Sequence, residues 1–314
     1  MLKLNKELAN NWFKEAKMKK VILDFDNTMG LKQKDVTAGL AFLFLVGSSE
    51  IDLMALTSVF GNSNLENTYQ TTEKMINDFN LKNKIPHFKG AAKACDLETK
   101  AAQYLAQTAA ENKNEITLIA IGPLTNLYAA AKIDPDFFRN LKEIIIMGGI
   151  TEKIEISNQL ITDLNFSLDP KAAEKVLKAE VPVALLSRNL ALAARFGEKS
   201  WRRIKRSKNK AIRAYIKKAI ESWYQYSSEV IGLSGFYMWD LVAVVYFVAP
   251  ELFAYNKSQF VSSVEDLKSS TIKTEKTAAK LQSGAVINLP SIIVDTKRFK
   301  NIVFRAWDQI DFSS

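Results

Sequence analysis

Two carboxylates, Asp24 and Asp26, stand one residue apart where the apolar run Val21-Ile22-Leu23 gives out into Asn27-Thr28. At i and i+2 on a strand end, such anions repel each other unless a cation or hydrogen bonds compensate them. Hard oxygen donors of this kind suit Mg²⁺ or Ca²⁺. Capping of the loop that follows is the purely structural use. The chain has one histidine, His87, and one cysteine, Cys95. A histidine cluster, a thiolate cage, an internal disulfide and any Ser-His-Asp triad lacking His87 are therefore excluded. Chemistry rests on carboxylates, amides, hydroxyls and aromatics, and Cys95 is expected to pack as a small buried or half-buried residue.

The elements that position these groups are legible from periodicity. Val21 to Phe25 reads as a strand, Gly39 to Val46 as an apolar helix, and Asp52 to Phe60 as a strand ending at Gly61-Asn62. Asn67 to Phe79 and Thr99 to Asn112 read as helices. Ile116 to Ile121, Glu143 to Met147 and Val181 to Leu186 read as strands, and Asp169-Pro170 opens a helix. Alternation of this kind predicts an α/β fold, a Rossmann-like and mostly parallel sheet flanked by helices, with a helical C-terminal portion after residue 190. Two short strands are expected near Ala285 to Asn288 and Ser291 to Val294. Residues 1–18 read as an N-terminal helical extension and 19–314 as a single domain. Asp24/Asp26, Gly61-Asn62, Gly122-Pro123-Leu124-Thr125-Asn126 and Met147-Gly148-Gly149 all fall where strands end, the place where open α/β sheets bind ligands.

At 314 residues, 47% hydrophobic and 25% charged, the composition is that of an ordinary globular protein. No apolar run reaches the roughly 18 to 20 residues that span a bilayer. The N-terminus lacks an apolar signal core, so a cytoplasmic location is expected. The net charge of +9 gathers in Trp201 to Lys218. There Trp201, Ile204, Ile212, Tyr215, Ile216 and Ile220 recur at helical spacing, which predicts a helix with one packed and one solvated face rather than a nucleic-acid surface.

The stretch from Ile22 to Thr28 resembles the opening motif of haloacid-dehalogenase-type phosphatases, a hydrophobic strand followed by DxDxT. Asp24 would then be a nucleophile, Asp26 an acid/base and Mg²⁺ the electrophile. That family also needs a later DD or GD pair, and the chain contains neither dipeptide. From about residue 19 to about 255 the chain instead resembles the inosine-uridine preferring nucleoside hydrolases. Seven segments carry the resemblance in order: Asp24 to Gly30, Gly61-Asn62, Ile85 to Gly90, Ile121 to Asn126, Ile145 to Gly149, Asp163 to Pro170, and Trp239-Asp240 ahead of Pro250 to Phe253.

The resemblance implies hydrolysis of the N-glycosidic bond of ribonucleosides to ribose and free base, in purine or pyrimidine salvage, through an oxocarbenium-like transition state. It implies a Ca²⁺ held by Asp26, the Thr125 carbonyl and Asp240, with Asp26 also the general base. Asn62, Met147, Asn158, Asp163 and Asn165 would surround the sugar, and Trp239 would stack on the base or pack in the core. A small-molecule nucleoside partner and a homo-oligomer are implied too. The family's opening motif continues to an aspartate pair, where this chain has Thr37 and Ala38 in Asp35-Val36-Thr37-Ala38-Gly39-Leu40. Alanine offers no ligating atom, so the metal site is weakened, and a non-catalytic nucleoside- or ribosyl-binding homologue is the alternative reading.

Overall fold

The computed structural model describes residues 18–276 and 285–311. The expected N-terminal helical extension lies almost wholly outside them. Among the described residues, nine strands form one sheet in the order β12-β11-β13-β8-β5-β4-β1-β2-β3. These are β1 (Lys19–Phe25), β2 (Ile51–Ser58), β3 (His87–Lys89), β4 (Thr117–Ala120), β5 (Glu143–Met147), β8 (Val183–Leu186), β11 (Lys257–Phe260), β12 (Thr274–Lys276) and β13 (Val286–Asn288). From β13 across to β3 every pairing is parallel, while β11 runs antiparallel to both β13 and β12.

Parallel neighbours require crossovers, and helices supply them on both faces. That is why strands such as TLIA and VALL are buried throughout rather than alternating. One apolar core packs the helices Thr37–Val46, Lys210–Glu229, Leu241–Val248 and Thr296–Asp308 against one face; a second packs Lys100–Glu111, Thr125–Ile133 and Pro170–Leu177 against the other.

The chain lays β2 and β3 on one side of β1, then returns to lay β4, β5 and β8 on the other. The reversal opens a crevice beyond the carboxyl ends of β1 and β4, and this is where Asp24, Asp26 and the Gly122-to-Asn126 turn emerge. Two short antiparallel ribbons stand apart from the sheet: β6 (Glu155–Ile156) with β7 (Gln159–Leu160), and β9 (Arg195–Phe196) with β10 (Phe236–Tyr237).

Several expectations are corrected. The strand expected at Ser291 to Val294 is only an isolated bridge between Ile293 and Phe253. Pro290, which has no N–H to give a ladder, precedes it. The basic stretch is two helices rather than one, Glu198–Lys205 and Lys210–Glu229, and Asn209 caps the second by accepting from the Ile212 N–H. Its packed face is as expected, with Ile204, Ile212, Ile216 and Ile220 buried. Cys95 is exposed, in a loop where it adopts a left-handed φ of 61°.

Candidate active site

The floor of the crevice is built by β1. Asp24 is fully buried, and its Oδ2 accepts from Thr57 Oγ1 at 2.6 Å and Asn126 Nδ2 at 2.7 Å. Asn126 thereby ties the first turn after β4 to the end of β1, across the point where strand order reverses. Asp26 is also fully buried; its Oδ2 accepts from the backbone N–H of Asn62 at 2.7 Å. That approach needs Gly61, because a Cβ there would lie 2.2 Å from Asp26 Oδ2. Among the described residues, Asp24 Oδ1 and Asp26 Oδ1 are buried with no hydrogen-bond partner.

Opposite this floor stands Asp240, at the entry to the helix Leu241–Val248. Its Oδ2 is 2.7 Å from Thr37 Oγ1, and the same hydroxyl lies 2.5 Å from Asp35 Oδ1. Asp35 also accepts the backbone N–H of Thr37 at 2.7 Å and so caps the helix Thr37–Val46 in place of Val36, which makes no side-chain cap. A hydroxyl has one proton to donate. It donates to one carboxylate, and the other short contact needs a proton carried by a carboxyl. Thr37 thus joins Asp35 and Asp240 into a proton-sharing pair.

The electrostatics agree. Burial pushes Asp240 up to about 8, helped by the charge of Asp35 and opposed by the Thr37 hydroxyl and by Arg188. Burial raises Asp26 well above the usual carboxylate range, and the neighbouring charges of Asp240 and Asp35 add to the effect against the Asn62 N–H. Asp24 is pushed up to about 7 by burial, against its bonds from Thr57 and Asn126. Asp26 and Asp240 thus feel one another across the crevice although 214 positions separate them in the chain (240 − 26).

Asp35, Thr37 and Asp240 line a cavity of about 180 Å³ together with Asn62, Met147, Asn165, Arg188 and Trp239. That exceeds the roughly 10–15 Å³ that houses one water and falls short of the roughly 300 Å³ where pockets for drug-sized ligands begin. A small guest fits. The far wall is apolar, with Ile156, Ile161, Trp223, Ile231, Leu233 and Phe236. Asn165 is held by a bond from its Nδ2 to the Met147 carbonyl at 2.9 Å. Asp163 caps the short helix Leu164–Ser167, and its Oδ2 accepts from Arg188 Nε at 3.1 Å. The Trp239 ring faces Arg188, whose guanidinium carbon is 4.5 Å from the ring centroid.

Four expected residues are absent from this cavity's lining: Asp26, Thr125, Asn158 and Asp163. Asp26 and Asp163 are fully buried directly behind it, bonded to the lining residues Asn62 and Arg188. Asn158 is exposed at the turn between β6 and β7, with φ 61°. Thr125, expected through its backbone carbonyl, has its side chain engaged elsewhere, Oγ1 donating to Asp169 Oδ2 at 2.7 Å. Sequence reasoning missed Arg188. The signal was present, because Ser187-Arg188 follows β8 as the other polar clusters follow β1, β2, β4 and β5. Trp223 and Ser227, one helical turn apart on Lys210–Glu229, were also missed; Trp223 Nε1 and Ser227 Oγ are buried without a partner among the described residues.

Elsewhere, Glu73 Oε1 lies 2.6 Å from His87 Nδ1, and His87 Nε2 lies 2.8 Å from Ser58 Oγ. The order is that of a nucleophile relay, but none of Glu73, His87 and Ser58 lines the cavity, and the Ser58 hydroxyl is spent on the His87 ring. It is a structural tie between β2, β3 and the helix Leu65–Asp78.

A sequence profile described as inosine-uridine preferring nucleoside hydrolase matches residues 21–302. The chain belongs to the inosine-uridine preferring nucleoside hydrolase family. This nucleoside hydrolase homologue is 24% identical over 267 residues to a probable uridine nucleosidase 2 of Arabidopsis thaliana, covering 76% of this chain and 80% of the relative. A plant nucleoside hydrolase superposes with a TM-score of 0.80 at 21% identity, covering 92% of this chain and 98% of that one. A purine-preferring ribonucleoside hydrolase from Gardnerella vaginalis gives 0.79 at 19% identity, with 93% and 99% covered. At these identities the two structures speak to the fold.

The donor set of this nucleoside hydrolase homologue does not fit a calcium cage. Ca²⁺ takes six to eight oxygens, with carboxylates prominent among them. Here Asp240 Oδ2 is held by the Thr37 hydroxyl, and Ala38 offers a methyl group. Among the described residues, no group of three or more His, Cys, Asp or Glu side chains is placed to hold a metal ion. Likewise among them, no helix is long and apolar enough to cross a membrane.

Proposed function

We propose that this cavity holds a ribonucleoside by its sugar and that Asp26 acts as general base in hydrolysis of the N-glycosidic bond. The observation that carries the reading is Asp26 Oδ1, a buried carboxylate oxygen without a partner among the described residues, directly behind Asn62 and within electrostatic reach of Asp240, both of which line the small, half-apolar cavity. The ionised Asp26 takes a proton from water as its oxygen bonds to the anomeric carbon; the carbon–nitrogen bond breaks and its electron pair leaves with the base. Asp35 and Asp240 line the sugar end of the cavity, and negative charge there favours the positive charge that develops on the ring. Asn62 and Asn165 supply amides to ribose hydroxyls, and the apolar wall receives the base. Because the Asp26 pKa is raised, its base form is scarce at low pH and grows as pH rises. The expected rate therefore falls steadily on acidification.

A second reading has its own observation. The Thr37 bridge and the Ala38 methyl replace two carboxylates, which favours a binder that retains the nucleoside without turning it over. A reducing-sugar assay over purine and pyrimidine nucleosides, paired with calorimetric titration of the same nucleosides, separates the two. Ribose release that drops by about 10²-fold or more in Asp26→Asn, with binding kept, supports hydrolysis. Binding without any release supports the binder, and neither result for any nucleoside overturns both.

A further inference from the structure

The polar end of this cavity contains a cation, Arg188, fixed from three directions. The Arg188 backbone N–H donates to the Gly149 carbonyl at 2.9 Å. Its Nε donates to Asp163 Oδ2 at 3.1 Å, and its guanidinium lies over Trp239 with the central carbon 4.5 Å from the ring centroid. Only 18% of the side chain is exposed. Asp163 is itself held, its Oδ1 accepting from the Phe166 N–H at 3.2 Å. A guanidinium is charged at every working pH and presents its five N–H donors in a rigid fork. Among the described residues Nε alone has a side-chain hydrogen-bond partner, so four donors remain on a residue that lines the cavity beside Asp35, Thr37 and Asp240.

We propose that Arg188 is the resident cation of this cavity and donates directly to the hydroxyls of a ribosyl guest, so that ligand binding needs no divalent metal. The inference rests on the ribosyl reading given above and adds what grips the sugar. Trp239 acquires a defined part in it: its ring is spent on holding the guanidinium flat, and stacking on a base falls to other members of the apolar wall. The same placement explains why Thr37 and Ala38 are tolerated where acids would otherwise stand. A cation already beside Asp35 and Asp240 opposes the entry of a second one, and further carboxylates would have no ion to ligate.

The test is isothermal titration of the full chain with ribose and with uridine and inosine, in EDTA and again with Ca²⁺. The expected dissociation constants agree within about twofold between the two buffers, and Arg188→Gln weakens binding by about tenfold or more, the size of a lost hydrogen bond from a charged donor. Arg188→Lys keeps the charge but loses the fork and is expected to weaken binding too, which preserves the test if the glutamine variant does not fold. Terbium luminescence gives a readout independent of ligand: no binding to the wild type, and binding in the triple variant Thr37→Asp, Ala38→Asp, Arg188→Gln. Binding that appears only with Ca²⁺, or that is unchanged in both Arg188 variants, overturns the role of Arg188 and leaves the ribosyl reading standing. Absence of binding by all three probes in both buffers overturns that reading, and this inference with it.

Discussion

Thr37 does the most with the fewest atoms. One hydroxyl touches two carboxylates, and the same residue opens the helix Thr37–Val46. Thr37→Val keeps the shape and removes the hydroxyl, leaving Asp240 Oδ2 without its donor. The expected cost is about 1–3 kcal/mol, as for other buried polar groups stripped of a partner, read by urea denaturation at neutral pH. Thr37→Ser is expected to restore most of it. The sequence showed that Thr37 and Ala38 stand where acids are usual, but not that the threonine would tie Asp35 to Asp240. Such a tie depends on two positions 203 apart in the chain reaching hydrogen-bond distance. Arg188 was illegible for a related reason: its meaning comes from Asp163 and Trp239, and no local pattern announces either contact.

At the level of elements, the sequence spoke clearly wherever a period ran long enough. β5 appears with the expected ends, and β1, β2, β4 and β8 lie within two residues of theirs, because buried parallel strands are short apolar runs bounded by turn residues. The antiparallel β11 and β12 gave no such signal; KSQF and TEK are polar segments at one end of the sheet whose pairing comes from the neighbour, not from their own pattern. Gly61 joins two elements at the site. Gly61→Ala places a carbon 2.2 Å from Asp26 Oδ2 and 2.9 Å from Pro123 Cδ. A loss of about 1–3 kcal/mol is expected on thermal melting, as for overpacked cores, together with weakened nucleoside binding in calorimetry. On the Lys210–Glu229 helix, Ile216 is fully buried and Lys217 exposed. Ile216→Ala is expected to cost about 2–5 kcal/mol and Lys217→Ala less than about 0.5 kcal/mol in chemical denaturation. Equal effects would mean that this basic stretch is not packed along one face.

For the molecule as a whole, buried acids make stability depend on pH in a direction opposite to that of most proteins. Asp24 and Asp240 titrate at about 7 and about 8 when folded, against roughly 3.9 in an unfolded chain. The folded state therefore holds protons that the unfolded state has released. Their contribution is complete below about pH 4 and is lost as pH rises through 7 to 8. Melting temperatures are expected to fall across that interval. In Asp24→Asn the amide oxygen can accept from Thr57 and Asn126 while the amide nitrogen takes the place of the unpartnered Oδ1. The variant is expected to flatten the pH dependence and to gain on wild type above pH 7; calorimetric scans at pH 5 and pH 8.5 compare the two. A slope unchanged by the substitution would count against a raised Asp24.

The strand carrying Asp24 is interior to the sheet, with β2 hydrogen-bonded along one edge and β4 along the other. Its amides can meet solvent only when one of those neighbours peels away, so deuterium should reach Ile22, Leu23 and Asp24 later than almost anywhere else in the chain. The ribbon of β6 and β7, by contrast, is two residues deep on each side and sits outside the sheet. Labelling should therefore begin at the cavity's rim and finish at its floor, with the acids kept in register through every partial opening that spares the sheet.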